Sequence, residues 1–231
     1  MLKFMWVVVF ILLVANVGFG ESEQSLFNNL KTKGIYVEIE KGKYDVFISE
    51  KSNINTNDLI FMKNLSPSQV DSFATENRTI SNNIIRTLKE YTNIRILTLK
   101  IGNITDDDIA ILGKLEKIEV LSLGFNKISG TCLVKISEFR NLEELSLNNN
   151  PLIEDNLKYI VNLPKLRILH LSYTPLTDKA VDILGKIKNK GIAAIIAYGT
   201  KITKKGGARL KKMLPNCEIQ LEPPKEAGGF N

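Results

Sequence analysis

The feature that limits this chain most is a spacing. Aliphatic residues recur at Val70, Ile94, Ile118, Leu142, Leu166 and Ile192, in steps of 24, 24, 24, 24 and 26 residues. With each taken as position 1 of a unit, positions 4 and 6 are Leu97 and Leu99, Leu121 and Leu123, Leu145 and Leu147, Leu169 and Leu171, and Ile195 and Ala197. The first unit is weaker, with Phe73 and Thr75. Residues two apart share one face of a strand, so this half of the unit reads as extended. Positions 16, 19 and 22 are also apolar, as in Ile109, Leu112, Leu115 and again in Leu157, Ile160, Leu163. Steps of three keep one side of a short helix or 3₁₀ turn apolar. Ser81, Thr105, Ser129, Thr177 and Thr203 hold position 12, where a helix N-cap belongs. No single unit can bury such a stripe, so neighbours must stack.

The best-preserved unit is LEELSLNNNPL, Leu142 to Leu152. It resembles the leucine-rich repeat, L-x-x-L-x-L-x-x-N-x-L at a period of about 20 to 29 residues. Position 9 is Asn126 and Asn150 in two units, but Arg78, Gly102, Thr174 and Thr200 in others. With T-P-L-T-D entering a helix and L-P-N-C-E-I closing the array, the chain is similar to the short-repeat, ribonuclease-inhibitor-like type found in exported bacterial proteins. The resemblance implies an α/β fold: a leucine-rich-repeat solenoid, or horseshoe, with a parallel concave sheet and a helical convex side. About seven repeats are expected, the first a degenerate unit running from Tyr44 and Phe47 through Ile54, Leu59, Met62 and Leu65.

The flanks suggest four segments. Residues 1–20 read as a signal peptide: Lys3, the apolar run Phe4–Ala15, then Gly18 and Gly20 before a cut at Glu21. The run is short for a membrane span, which needs about 20 residues. Residues 21–43 read as an N-terminal cap, a helix ending near Gly34 and a hairpin joined through Lys41-Gly42-Lys43. Residues 44–221 form the repeat domain with a closing strand at Cys217 and Ile219, and 222–231 a flexible tail. A cleaved leader makes the mature chain secreted, periplasmic or held at the cell envelope, with no transmembrane segment.

Little here suggests chemistry. Two cysteines, Cys132 and Cys217, imply no disulfide framework. They lie four repeat steps apart, about 20 Å of sheet, beyond the reach of one disulfide. One histidine, His170, leaves no metal cluster, and no cofactor motif is present. Ser146 falls beside His170 on adjacent strands, but no acid or oxyanion motif completes a nucleophile. The run Thr105-Asp106-Asp107-Asp108 lacks the spaced ligands of a calcium loop and suits a helix N-terminus. Asn126 and Asn150 read as scaffold, because a buried amide must be bonded.

The strand face is more informative. Positions 2, 3, 5, 7 and 8 should leave the core. They place Arg95, Thr98, Lys100 and Ile101, then Glu119, Ser122 and Phe125, then Glu143, Glu144, Ser146, Asn148 and Asn149, along the concave face. Arg167, His170, Ser172 and Tyr173 follow, then Ile196 and Tyr198. Phe125, Tyr173 and Tyr198 are the aromatic anchors of the kind interfaces favour. The candidate partner-binding set is therefore Phe125, Ser146, Asn148, His170, Tyr173 and Tyr198, and the ligand a protein or peptide. A second set is charged. From Lys186 to Cys217 there are nine Lys or Arg and no acid. Lys201, Lys204, Lys205, Arg209, Lys211 and Lys212 read either as a solvated helical face or as a contact for an anionic envelope polymer. Nucleic acid does not suit an exported chain with no recognition module. The sequence thus points to a non-enzymatic binding module, with an envelope-associated structural protein as the alternative and an enzyme as the remote one.

Overall fold

The computed structural model of the protein describes residues 21–49, 62, 65–76, 84–112 and 115–223. Residues 1–20, expected to be a leader, fall outside them, as do Ile54, Leu59, Arg78, Ile80, Ser81 and residues 224–231. Helix α1 (Glu21–Thr32) leads into β1 (Ile35–Glu40) through Gly34, whose φ of 78° is the left-handed turn glycine takes freely. β1 pairs antiparallel with β2 (Lys43–Ile48) across Lys41-Gly42.

From β2 onward every pairing is parallel: β3 (Val70–Thr75), β4 (Ile96–Leu99), β5 (Val120–Ser122), β6 (Glu144–Ser146), β7 (Ile168–His170), β8 (Ala194–Ile196) and β9 (Glu218–Gln220). The nine strands lie in chain order in one open sheet. From β4 to β8 the register is constant: Leu97, Leu121, Leu145, Leu169 and Ile195 are partners in turn. The Glu119, Glu143, Arg167 and Ala193 amides each donate to the carbonyl of the previous unit's position 2, at 2.7 to 2.8 Å. Each unit returns through a short helix: α2 (Ile84–Leu88), α3 (Asp106–Ala110), α4 (Leu133–Ile136), the 3₁₀ helix Glu154–Tyr159, α5 (Asp178–Leu184) and α6 (Lys204–Met213). Such short helices owe their stability to tertiary packing rather than propensity. Leu133, Ile136, Leu157, Val181 and Leu184 are fully buried against the strand leucines.

The N-cap expectation holds at Thr105, Thr177 and Thr203, which cap α3, α5 and α6; Thr177 Oγ1 accepts from Lys179 N (3.3 Å) and Thr203 Oγ1 from Gly206 N (3.0 Å). Ser129 departs from it, because the residue capping α4 is Cys132. The hydroxyls of Ser129, Thr177 and Thr203 are also held across units, by the acid at position 13 of the unit before. Asp106 accepts from Ser129 N (2.7 Å), Ser129 Oγ (2.7 Å), Gly130 N (2.9 Å) and Cys132 N (2.9 Å). Burial opposes its charge, yet these bonds outweigh that and hold its carboxyl below the usual range. Glu154 accepts from Thr177 Oγ1 (2.7 Å) and Asp178 from Thr203 Oγ1 (2.8 Å). Position 13 of the unit starting at Ile118 is Gly130, and the residue it would face, Ile153, has no hydroxyl; Ile153 N donates to Ser129 O instead. In the acidic run, Asp108 accepts from Thr105 N and Oγ1 at 2.9 and 2.8 Å, a local cap, while Asp106 reaches the next unit. Gly206 leaves room for the Asp178 carboxylate: a Cβ there would come 2.1 Å from Asp178 Oδ1, so the Asp178 side chain would have to shift.

The cysteines are free and buried. Burial, reinforced by the neighbouring Asp106 charge, pushes the Cys132 thiol far up, so it stays neutral packing material.

Candidate binding face

Two adjacent columns at the C-terminal end of the strands turn in opposite directions. At position 9, Asn126 (7% exposed) and Asn150 (3%) point inward. Asn126 Oδ1 accepts from Gly102 N (3.0 Å) and Ile104 N (3.3 Å), and its Nδ2 donates to Leu99 O (2.7 Å) and Leu123 O (3.0 Å). Asn150 repeats the pattern, accepting from Ile128 N (3.0 Å) and donating to Leu123 O (2.8 Å) and Leu147 O (3.1 Å). Thr174 and Thr200 make a smaller version, each hydroxyl donating to a carbonyl three residues back, Leu171 O and Ala197 O. These amides are scaffold, because they satisfy the loop that closes each strand.

At position 8 the backbone turns out. Phe125, Asn149, Tyr173 and Gly199 all take left-handed φ, at 60°, 54°, 55° and 69°. That turn aims each N–H at the next unit: Phe125 N donates to Asn148 O, Asn149 N to Ser172 O and Tyr173 N to Tyr198 O, all at 2.9 Å. Phe125 and Tyr173 are left 46% and 57% exposed. Tyr173 packs edge-on to Tyr198, ring centroids 5.6 Å apart, and its ring lies over Gly199.

The unit starting at Ile94 departs from this, and with it one expected concave residue. There the left-handed turn falls one residue later, at Gly102 (φ 81°), and Ile101 is buried instead of facing out. Thr98 and Ser122 (3% each) and Ser172 (1%) are also covered despite their outward positions, because short side chains in a tightly spaced sheet are overshadowed by their neighbours. Ser146, Asn148, His170 and Tyr198 are half-buried and reach the surface. Asn148 Oδ1 accepts from Ser172 N at 2.7 Å, which locks its amide.

Two of the expected site residues, His170 and Ser146, are register partners, yet the hydroxyl does not bond the imidazole. His170 Nε2 instead lies 3.3 Å from Glu144 Oε1, at position 3 of the neighbouring strand. Glu144 is among the expected concave-face residues, but its pairing with His170 is not; the diagonal from position 3 to position 5 between adjacent strands is the signal that finds it. The trio lacks the hydroxyl–imidazole contact that nucleophilic catalysis needs.

Farther toward β1 the same face is self-neutralised. Asp71, buried, takes Arg95 Nη2 at 2.6 Å and Lys43 Nζ at 2.7 Å, and Arg95 Nη1 reaches Glu119 at 3.1 Å. The Arg95 guanidinium holds the Asp71 carboxyl below the usual aspartate range, against the opposing effect of burial. The basic end is neutralised in part. Arg209 pairs with Asp182 (3.1 Å), Lys204 with Glu222 (2.9 Å), and Lys211 donates to Cys217 O (2.8 Å). Lys201, Lys205 and Lys212 are exposed.

No protein-family model matches the chain, and no curated protein matches it in sequence. Among solved structures it is similar to internalin C2 of Listeria monocytogenes, at 17% identity and a TM-score of 0.56, over 78% of this chain and 80% of that one. It also matches a leucine-rich repeat protein of Leptospira interrogans, at 21% identity and a TM-score of 0.47, over 67% of this chain and 43% of that one. A second Listeria monocytogenes internalin (inlF) matches at 15% identity and a TM-score of 0.48, over 74% and 58%. At these identities the likeness to internalin C2 is one of fold. With its 24-residue period, inward position 9 amides and parallel sheet in chain order, the chain is a leucine-rich repeat solenoid.

Proposed function

We propose that the chain is a non-enzymatic binding module for a protein or peptide, exported, and that it binds along the concave face and its C-terminal rim. The observation that carries this is the position 8 column. A left-handed φ costs a non-glycine residue about 1–2 kcal/mol. Asn149 and Gly199 hold the same place in neighbouring units, so the fold has no need of an aromatic there. Phe125 and Tyr173 therefore bear a backbone cost while exposing ring surface, a combination found where function outweighs stability. Tyr198, Ser146, Asn148 and His170 surround them with half-buried polar and aromatic groups, the mix that anchors interfaces.

Export is supported by Lys3, the apolar run Phe4–Ala15 and the small residues Gly18 and Gly20. Among the described residues no helix is long and apolar enough to cross a membrane. Amino-terminal sequencing of the released protein tests this part: it should begin at Glu21, and a start at Met1 on a membrane-retained form contradicts it.

Affinity capture from the protein's own cell envelope or surroundings tests the binding reading. The triple variant F125A/Y173A/Y198A should lose the partner that the native chain retains, and unchanged recovery would overturn it. An envelope-associated role through Lys201, Lys204, Lys205, Arg209, Lys211 and Lys212 is the second reading. It is weakened by the ion pairs that occupy Arg209 and Lys204. It calls for capture that collapses with ionic strength and ignores the aromatic triple variant.

A further inference from the structure

Beside the aromatic column lies a shallow, open groove of about 610 Å3 lined by Asn149, Pro151, Tyr173, Pro175, Gly199 and Lys201. It occupies positions 8 to 10 of three successive units. Tyr173 and the two prolines give it ring surface, Asn149, Asn150, Thr174 and Lys201 give it polar surface, and no acidic residue lines it. Tyr173 is clamped there, edge-on to Tyr198 and over Gly199, where any Cβ would come within 2.5 Å of its ring. It is thus a rigid anchor that loses little rotamer freedom on binding. Lys201 is exposed at the end of the groove, with no described carboxylate within ion-pair distance. Behind it begins α6, inside the stretch of nine basic residues without an acid.

We infer that this groove receives an acidic, apolar segment of a partner polypeptide, with a carboxylate on Lys201 and a neighbouring aromatic or aliphatic side chain against Tyr173, Pro151 and Pro175. The inference rests on the binding-face reading above and adds the chemistry of the ligand. Charge complementarity selects the sign: the groove supplies one cation and no anion. This mixed lining, ring surface beside amide and hydroxyl groups, selects a polypeptide over a bare anionic polymer, since a polymer of phosphates or carboxylates would leave Tyr173 and both prolines uncovered.

The test is a titration of the isotope-labelled full chain, followed through its backbone amides. The probe is a capped pentapeptide with one tryptophan flanked by glutamates; the controls are the same peptide with lysines for the glutamates, and polyglutamate. The acidic peptide should shift the amides of Asn149, Tyr173, Gly199 and Lys201 at about millimolar concentration, and Lys201→Glu should weaken it about fivefold. Unshifted groove amides at about 5 mM peptide, or equal binding of the lysine peptide or of polyglutamate, would overturn the inference. A peptide failure together with loss of the partner from F125A/Y173A/Y198A removes only the acidic assignment. A triple variant that keeps its partner while the peptide still shifts the groove removes the concave-face reading and leaves the groove's chemistry standing.

Discussion

Positions 8 and 9 are neighbours in the chain and opposites in what they do. In the column of Asn126, Asn150, Thr174 and Thr200 each side chain bonds the backbone of its own loop or of the loop before it. The column of Phe125, Asn149, Tyr173 and Gly199 serves the fold chiefly through its left-handed backbone, which in the first three aims the N–H at the next unit. The first column shows what the solenoid demands. The second shows what it carries, because its side chains vary from nothing to a phenol ring with no change of backbone. The same contrast runs along the sheet: Lys43, Asp71, Arg95 and Glu119 neutralise one another near β3 and β4, whereas on the rim from β5 to β8 Phe125 and Tyr173 stay 46% and 57% exposed, Tyr173 even with the Tyr198 ring beside it.

Breaking the inward column should cost most. Asn150→Ala leaves Ile128 N without its acceptor and removes donors from the Leu123 and Leu147 carbonyls, a loss of about 3 kcal/mol. Thermal unfolding should fall by roughly 6–12 °C. Thr174→Ala, which removes one bond, should cost about 1 kcal/mol; equal losses at the two sites would show that the amide ladder is not what holds the loops. Next comes Gly199→Ala, where a left-handed φ and the clash with the Tyr173 ring combine to cost about 1–2 kcal/mol. Its near-ultraviolet circular dichroism should change as the Tyr173–Tyr198 pair shifts, and an unaltered tyrosine signal would contradict the packing described.

Asp71→Asn probes the self-neutralised part of the face. The folded carboxyl is held below its ordinary value, so its contribution is present at neutral pH and lost as pH falls through the folded-state pKa. The variant should be less stable than the native chain by about 1 kcal/mol at pH 7, discounted for the partial exposure of Arg95. The two should converge in acid; a gap that persists in denaturant titrations below the aspartate range would count against the ion ladder. The smallest effect has the opposite sign. Phe125→Asn relieves the left-handed strain at an exposed site and should raise stability by about 0.5–1 kcal/mol while weakening partner capture. Stability lost together with binding would mean that Phe125 serves the fold.

Much of this is legible in the sequence. Apolar periodicity placed the strand leucines, and Leu97, Leu121, Leu145 and Leu169 do pair in register. The amide role of Asn126 and Asn150 followed from their burial beside exposed loop backbone. What stayed hidden depends on relations between units or on local backbone sign. The acid at position 13 serves a hydroxyl 23 to 25 residues later, and only the joint absence at Gly130 and Ile153 betrays the rule. Ile101 turned inward because a left-handed turn moved one residue to Gly102, which apolar patterning cannot register. The pairing of His170 with Glu144 is a diagonal across strands, invisible to a reading made column by column. The rim groove joins Pro151 and Pro175, outside the strand pattern, to Lys201, which the basic run had drawn toward α6.

The contrast between the carrying column and the self-satisfied face is tested most directly by photo-crosslinking. A photoreactive residue is placed at position 125, 173 or 198, or, for comparison, at Glu76 or Lys100, which form an ion pair at 2.6 Å. The chains are exposed to the native surroundings of the protein. Cross-links to a common partner from 125, 173 and 198, with little or none from 76 and 100, are the expected result. Equal yields from both regions, or a partner reached only from 76 and 100, would contradict a binding face centred on the aromatic rim.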